Sequence, residues 1–140
     1  MGLYLCVFGA GDGDDELDGV EVGSYGDFGR LREAVAEHLE PAGWGSRFPV
    51  LMNHVDNDGE WTPAEAVELE KEMQTIDAEL AKLPPQPLPT GWQIEVAKEF
   101  DLVPTALNEC FFDVNGDSVF ERITDLCRLS AREGVPIVFQ

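Results

Sequence analysis

The sequence predicts an α+β fold with α/β layers, in which a single small sheet of about four to five strands packs against about three helices. Short apolar runs typical of buried strands alternate with segments whose apolar residues recur every three or four positions, as on one helix face. Strands separated by helices favour a sheet covered on one or both faces. The 140 residues suffice for one globular domain, 1–140, with a real core.

The predicted strands are short and are separated by turn residues. The strongest is 2–9, GLYLCVFG, whose apolar run is typical of a buried strand. A short strand is also compatible with GVEVGS at 19–24, inside a loop rich in Gly and Asp. The remaining predicted strands are SRFPVLMNHV at 46–55, LNECFFDV at 107–114 and VPIVFQ at 135–140.

Apolar periodicity predicts the helices. A first helix is predicted over 27–40, with Asp27 as a candidate cap, and a long one begins after Thr62. A third is predicted over 117–134 with Gly134 as its C-terminal cap. Residues 92–106 are compatible with a short helix without specifying one. The stripe of the long helix comprises Ala66, Leu69, Met73, Ile76, Leu80 and Leu83.

The stretch HVDNDGEWTPAE, residues 54–65, fits a calcium loop in part. With Gly59 at position 6 of a twelve-residue loop, oxygen ligands fall at four of the expected positions. These are Asp56, Asp58, Thr62 and Glu65. His54, however, occupies position 1, where calcium needs oxygen. The apolar segment before it also predicts a strand where such a site needs a helix.

A capped helix start explains more of the same residues. Thr62 is a good N-cap, Pro63 falls at the first helical position, and Glu65 at the third completes a capping box. Asp58-Gly59 is a typical turn pair. A calcium-binding or other acidic interaction module built on 54–65 stays open as the alternative function.

The charge is the strongest functional signal. Lys and Arg total 9 and Asp and Glu total 28, which gives a net charge of −19. Nucleic acid and anionic membranes are disfavoured as partners, since both require a basic surface. A basic protein is favoured, because the field of the chain would steer its approach. The alternative explanation for the acidic charge is that it only keeps the protein soluble and has no partner.

No constellation of residues indicates catalysis, a metal or a cofactor, so the chain is not predicted to be an enzyme. There are two His residues and no G-x-S-x-G motif. His54 is interpreted as a turn residue after a strand. The three cysteines, Cys6, Cys110 and Cys127, lack CxxC spacing and stand among apolar residues. Buried, reduced thiols in a cytoplasmic protein are expected.

Two acidic clusters and one aromatic residue are the candidate partner-binding residues. An aromatic side chain ringed by acids is typical of an interface for a basic protein. Trp61 fits that pattern, but it equally fits a staple that fixes a helix start to the core. The full candidate set is Asp14, Asp15, Glu16, Asp18, Asp56, Asp58, Glu60 and Trp61.

Four stretches resemble the immunity protein 70 family of bacterial polymorphic toxin systems. They are MGLYLCVF, DDELDGVEVGSYGDF, SRFPVLMNHVDNDGEWTPAEAVELEKE and GVPIVFQ, so the resemblance runs over most of the chain. It implies a small cytosolic antitoxin that binds a cognate toxin domain and blocks it stoichiometrically. Many such toxin domains are basic nucleases. The resemblance assigns no binding residues, and whether the chain is a monomer or a homodimer stays open.

Overall fold

A computed structural model describes residues 2–9, 15–55, 59–89 and 91–140. It confirms the α+β fold, with one antiparallel four-stranded sheet and five helices among these residues. The strands are β1 Gly2–Phe8, β2 Glu16–Ser24, β3 Glu60–Trp61 and β4 Ile137–Phe139. The helices are α1 Tyr25–Leu39, α2 Pro49–Asn53, α3 Pro63–Leu80, α4 Trp92–Glu99 and α5 Val119–Glu133.

The strand order across the sheet is β2-β1-β4-β3, so β1 and β4 occupy the centre. Leu5 of β1 pairs with Val20 on one side and Phe139 on the other. Trp61 of β3 pairs with Ile137. The two edge strands, β2 and β3, therefore carry three of the candidate acids, Glu16, Asp18 and Glu60.

The sheet has one face against the helices and one face turned away from them. Successive strand residues point to opposite faces, except where two register shifts in the β1–β2 pairing each add a residue to β2. One set belongs to the hydrophobic core with the apolar residues of the helices. This inner set is Leu3, Leu5, Val7, Val20, Val22, Trp61, Ile137 and Phe139. The opposite set, called the outer face below, is Tyr4, Cys6, Phe8, Glu16, Gly19, Glu21, Glu60 and Val138.

The strand predicted over 46–55 is wrong, because Pro49–Asn53 form the short helix α2. The Glu72 carboxylate of α3 accepts the backbone N–H groups of Val50 and Leu51, at 3.1 and 2.9 Å. Proline is also tolerated in the first turn of a helix. A distant side chain thus satisfies the free N–H groups of a helix start within an apolar run that resembles a strand.

The strand predicted over 107–114 is also wrong. Leu107–Cys110 form a 3₁₀ turn, and this region has an isolated bridge between Phe112 and Ser118. The backbone N–H of Leu107 is bonded to the carbonyl of Leu83, after α3, at 3.0 Å. Leu107 and Cys110 are buried all the same. The apolar run therefore reflects burial rather than sheet pairing.

The predicted long helix is confirmed as α3. Thr62 is its N-cap, Pro63 lies at its start, and the capping box between Thr62 and Glu65 is present. Its apolar stripe is buried from Ala66 to Leu80, where the helix ends before Leu83. α3 packs alongside α5. None of the described helices is both long and apolar enough to cross a bilayer.

The ends of α1 and α5, and the packing of α4, add detail to the predicted helices. α1 begins earlier than predicted, because Ser24 is its N-cap and Asp27 is the third-position partner in a capping box. Asp27 also accepts hydrogen bonds from Trp92 and Gln93, at 3.0 and 2.7 Å, and so holds α4 to α1. Gly134 ends α5 in the left-handed conformation, with φ 69°, which glycine adopts without strain.

Candidate functional site

The strand residues of the two predicted acidic clusters lie at opposite edges of the sheet. Glu16 and Asp18 belong to β2, whereas Glu60 belongs to β3. Three strand spacings separate these edges, a distance of about 14 Å. Asp15 is exposed just before β2. Asp14, Asp56 and Asp58 lie outside the described residues.

Three glutamates project from the edge strands onto the outer face. Glu60 pairs with Val138, and its neighbour Trp61 points inward. Glu16 pairs with Phe8, and Glu21 pairs with Tyr4. All three glutamates are exposed. Sequence reasoning missed Glu21, although its position between two apolar valines in GVEVGS would have placed it on the polar side of a strand.

Asp18 points the other way and is already paired. Arg122 of α5 donates to both carboxylate oxygens of Asp18, at 2.8 and 3.2 Å, and to the carbonyl oxygen of Gly19 at 2.8 Å. The hydrogen bonds from Arg122, more than the opposing effect of burial, set the lowered pKa of Asp18. Asp18 therefore joins β2 to α5, unlike the three outer-face glutamates.

The centre of the outer face is apolar. Tyr4, Cys6 and Phe8 come from β1 and Val138 comes from β4. Cys6 is buried, whereas the other three are partly exposed and do not pack into the core cluster. Burial and the nearby Glu16 carboxylate raise the pKa of the Cys6 thiol to about 11. The thiol thus stays protonated at neutral pH.

Tyr4 is fixed in place on this face. Its hydroxyl donates a 2.8 Å hydrogen bond to Glu16, and its ring lies over Gly19. A Cβ at position 19 would lie 2.3 Å from the Tyr4 hydroxyl oxygen, so the ring can lie flat only over glycine. The hydrogen bond to Glu16, followed by burial, raises the pKa of Tyr4 to about 12.

None of the four described strands carries a cation. All nine Lys and Arg residues are in the described part of the chain, within helices or in the loops that flank them. They are Arg30, Arg32, Arg47, Lys71, Lys82, Lys98, Arg122, Arg128 and Arg132. The charged residues of the outer face are therefore glutamates only.

The prediction of Trp61 as an exposed anchor is wrong, because its side chain is 0% exposed. Its indole N–H donates to the carbonyl of Val50 at 3.1 Å, which ties β3 to α2. Its ring meets Phe139 edge to face, with centroids 4.7 Å apart. The other interpretation, in which the indole fixes the start of α3 to the core, describes the structure.

The described residues of the 54–65 stretch serve the fold. The ring nitrogens of His54 lie 2.6 and 2.9 Å from the carbonyl oxygens of Val55 and Glu60. The His54 ring stacks on Phe139 at 4.2 Å. His54 follows the helix α2, so the strand expected before it is absent. Among the described residues, no three His, Cys, Asp or Glu side chains converge as a metal site would require.

The helix start after this stretch uses two of the predicted calcium ligands. The Thr62 hydroxyl oxygen accepts the N–H of Glu65, and the Glu65 carboxylate accepts the N–H of Thr62. The Phe139 N–H donates to the Gly59 carbonyl at 3.0 Å, which bonds the end of the loop to the sheet. Asp56 and Asp58, the other two, lie outside the described residues.

The cysteines behave as predicted: Cys6, Cys110 and Cys127 are free and buried. Burial, with nearby glutamates, raises the pKa of Cys127 to about 12. Cys110 lies 3.5 Å from the carbonyl oxygen of Gln86.

Comparison with known proteins identifies a family. A family model described as immunity protein 70 matches residues 3–139. No curated protein matches the chain, and no solved structure does. Immunity proteins act against toxins and are generally not enzymes. Because the match covers nearly the whole length, the chain belongs to the immunity protein 70 family.

Proposed function

We propose that this protein neutralises a cognate, basic toxin domain of a bacterial polymorphic toxin system by binding it stoichiometrically in the cytoplasm. The family match over residues 3–139 carries the proposal. An immunity protein protects its own cell, so it must meet the toxin where the toxin would act.

The charge distribution supports a basic toxin. The net charge is −19, and several of the few cations are already engaged within the chain. Arg122 pairs with Asp18, Arg128 pairs with Glu70, and Arg47 pairs with Glu79. The surface therefore presents many acids and few free bases to a partner. Such a field accelerates association with a basic protein and disfavours acidic ones.

The state of the nucleophilic side chains supports inhibition by binding rather than by chemical modification of the toxin. The thiols of Cys6 and Cys127 are buried with raised pKa values, and a thiol rather than a thiolate is a poor nucleophile. The His54 ring is held between two carbonyl oxygens. These groups stabilise the fold.

Co-expression and copurification test the proposal. The toxin domain encoded beside this gene would be induced in host cells with and without this protein, and the two proteins would be mixed in purified form. We expect restored growth and co-elution as a complex of fixed stoichiometry. We also expect affinity to fall as salt rises, because screening weakens the attraction between opposite charges. Normal toxicity together with separate elution would refute it.

A further inference from the structure

We propose that the outer face of the sheet is the docking surface for the basic toxin domain. Its apolar centre would be Tyr4, Phe8 and Val138, and its acidic rim would be Glu16, Glu21 and Glu60. This inference rests on the proposed function and names the surface that performs it.

The outer face has apolar residues where a solvated sheet face usually has polar ones. An antiparallel sheet with one covered face normally alternates apolar residues inward and polar residues outward. Here the central strands break that rule, because Tyr4, Phe8 and Val138 all point outward and remain partly exposed. They lie on adjacent strands and form a continuous strip. Among the described residues, the helices contribute to the core cluster on the inner face, and the three side chains of the strip lie outside that cluster.

The edge strands complete the pattern of an interface. Protein interfaces have an apolar centre and a polar rim. Glu16 and Glu21 on β2 lie at one side of the strip, and Glu60 on β3 lies at the other. The described strands carry no Lys or Arg, so charge complementarity selects a basic partner over an acidic one.

The strip is also ordered before any partner arrives. The Tyr4 hydroxyl is bonded to Glu16 at 2.8 Å, and the ring is seated over Gly19. A side chain fixed in the free protein loses less conformational entropy on binding. Tyrosine is in addition enriched among the residues that dominate binding energy. Tyr4 is thus suited to the centre of the contact.

A second exposed apolar patch provides an internal control. Phe100 and Val103, just after α4, are 47% and 79% exposed. They stand in a loop beside Lys98 rather than on a strand. If the toxin docked on this patch instead, substitutions there would weaken binding and those on the outer face would not.

Two charge-reversal pairs separate local contact from the general field. Glu21→Lys with Glu60→Lys alters the outer face, and Glu33→Lys with Glu37→Lys alters exposed positions of α1 by the same net charge. We expect the outer-face pair to weaken toxin affinity by about 30-fold or more, as contact charges do. The α1 pair should change it less than about threefold at physiological salt, where separated charges are screened.

One apolar substitution in each patch tests the centre. Phe8→Ser should weaken affinity by about tenfold or more, whereas Val103→Ser should leave it within about twofold. Circular dichroism would check that each variant is folded. If a charge-reversal pair does not fold, Glu→Gln substitutions at the same two positions would replace it. Equal effects of the matched variants would overturn the docking surface while leaving the proposed function standing. Absence of any complex with the unaltered protein would instead overturn the proposed function and this inference with it.

Discussion

The Tyr4 hydroxyl donates a hydrogen bond to the Glu16 carboxylate at 2.8 Å, and the Tyr4 ring passes over Gly19 to reach it. This relationship joins a central strand to an edge strand across the outer face. It couples an aromatic residue of the proposed contact to one of its acids. A side chain at position 19 should therefore alter both the position of the Tyr4 ring and its hydrogen bond to Glu16.

Gly19→Ala should displace Tyr4. The new methyl group would lie 2.3 Å from the hydroxyl oxygen, so the ring must move and the bond to Glu16 must break. The pKa of Tyr4 should then fall from about 12 towards the ordinary value near 10. Ultraviolet titration of tyrosinate would measure it, with Tyr4→Phe identifying the high step among two tyrosines. A step near 12 that persists in Gly19→Ala would contradict the contact.

Asp18→Asn should destabilise the fold by about 1 kcal/mol at neutral pH, because the partly exposed pair with Arg122 loses its charge. The pKa of Asp18 is lowered in the folded state. Its stabilisation is therefore complete above the unfolded pKa near 3.9 and is lost as pH falls below that value. Urea unfolding of both proteins between pH 7 and pH 3 would follow the difference.

The control for that series is Asp125→Asn, at an exposed carboxylate 3.5 Å from Arg122. It should cost less than Asp18→Asn. Neither substitution should weaken toxin affinity appreciably, since Asp18 points away from the outer face. A stability difference that grows on acidification would mean that the sign of the pKa shift is wrong.

Glu40→Ala should destabilise the fold by roughly 3 kcal/mol, because it leaves one buried and two partly buried backbone donors without their acceptor. The buried Glu40 carboxylate accepts the backbone N–H groups of Gly45, Arg47 and Phe48, each at 3.0 Å. Chemical denaturation would measure the loss. Glu37→Ala, at an exposed site in the last turn of α1, the helix that Glu40 caps, should change stability by no more than about 0.5 kcal/mol. If Glu40→Ala and Glu37→Ala lost similar amounts of unfolding free energy, the Glu40 carboxylate would not be an important structural acceptor.

Trp61→Ala should destabilise the fold by about 3–5 kcal/mol, the usual cost of truncating a buried aromatic residue. Trp44→Ala is the matched control, since Trp44 is 50% exposed, and it should cost less. Thermal unfolding would rank the two. An unchanged melting temperature in Trp61→Ala, with lost toxin affinity, would restore the exposed-anchor interpretation of Trp61.

Calcium should produce no binding heat at millimolar concentration. The Thr62 hydroxyl and the Glu65 carboxylate already serve the capping box, and a nitrogen ligand from His54 is unsuited to calcium. Isothermal titration calorimetry would test this, with magnesium as the comparison. A saturable calcium signal that Glu65→Gln abolishes would favour the alternative function of a calcium-binding module.

Local signals predicted the three long helices, α1, α3 and α5, but not the short helix α2. The apolar stripe of α3, its capping box at Thr62 and the glycine cap of α5 at Gly134 all depend on residues within a few positions of each other. The strands β1 and β4 were predicted because their apolar runs are flanked by turn residues. In the helices the interactions that stabilise the local structure join residues close in sequence, so the sequence of the segment alone is enough to predict them.

Predictions failed where the local structure depends on contacts with residues far away in the sequence. Within the apolar run at 46–55, Pro49–Asn53 form a helix whose first N–H groups are bonded to Glu72, more than twenty residues away. Asp18 and Glu16 are both acids two positions apart, and regular alternation would put them on one face. A register shift between β1 and β2 at Val7/Phe8 instead turns Glu16 to the outer face and Asp18 towards Arg122. Clustering along the chain grouped acids that the sheet divides between two edges and two faces. Pairing between strands is a tertiary property, and a single sequence specifies it weakly.

Hydroxyl-radical footprinting of the complex with the toxin domain tests the central claim most directly, because it reports side-chain exposure without any substitution. Oxidation of Tyr4 and Phe8 should fall sharply when the complex forms, while oxidation of Phe100 should stay as it is in the free protein. Protection of Phe100 with Tyr4 and Phe8 still fully reactive would contradict docking on the outer face of the sheet.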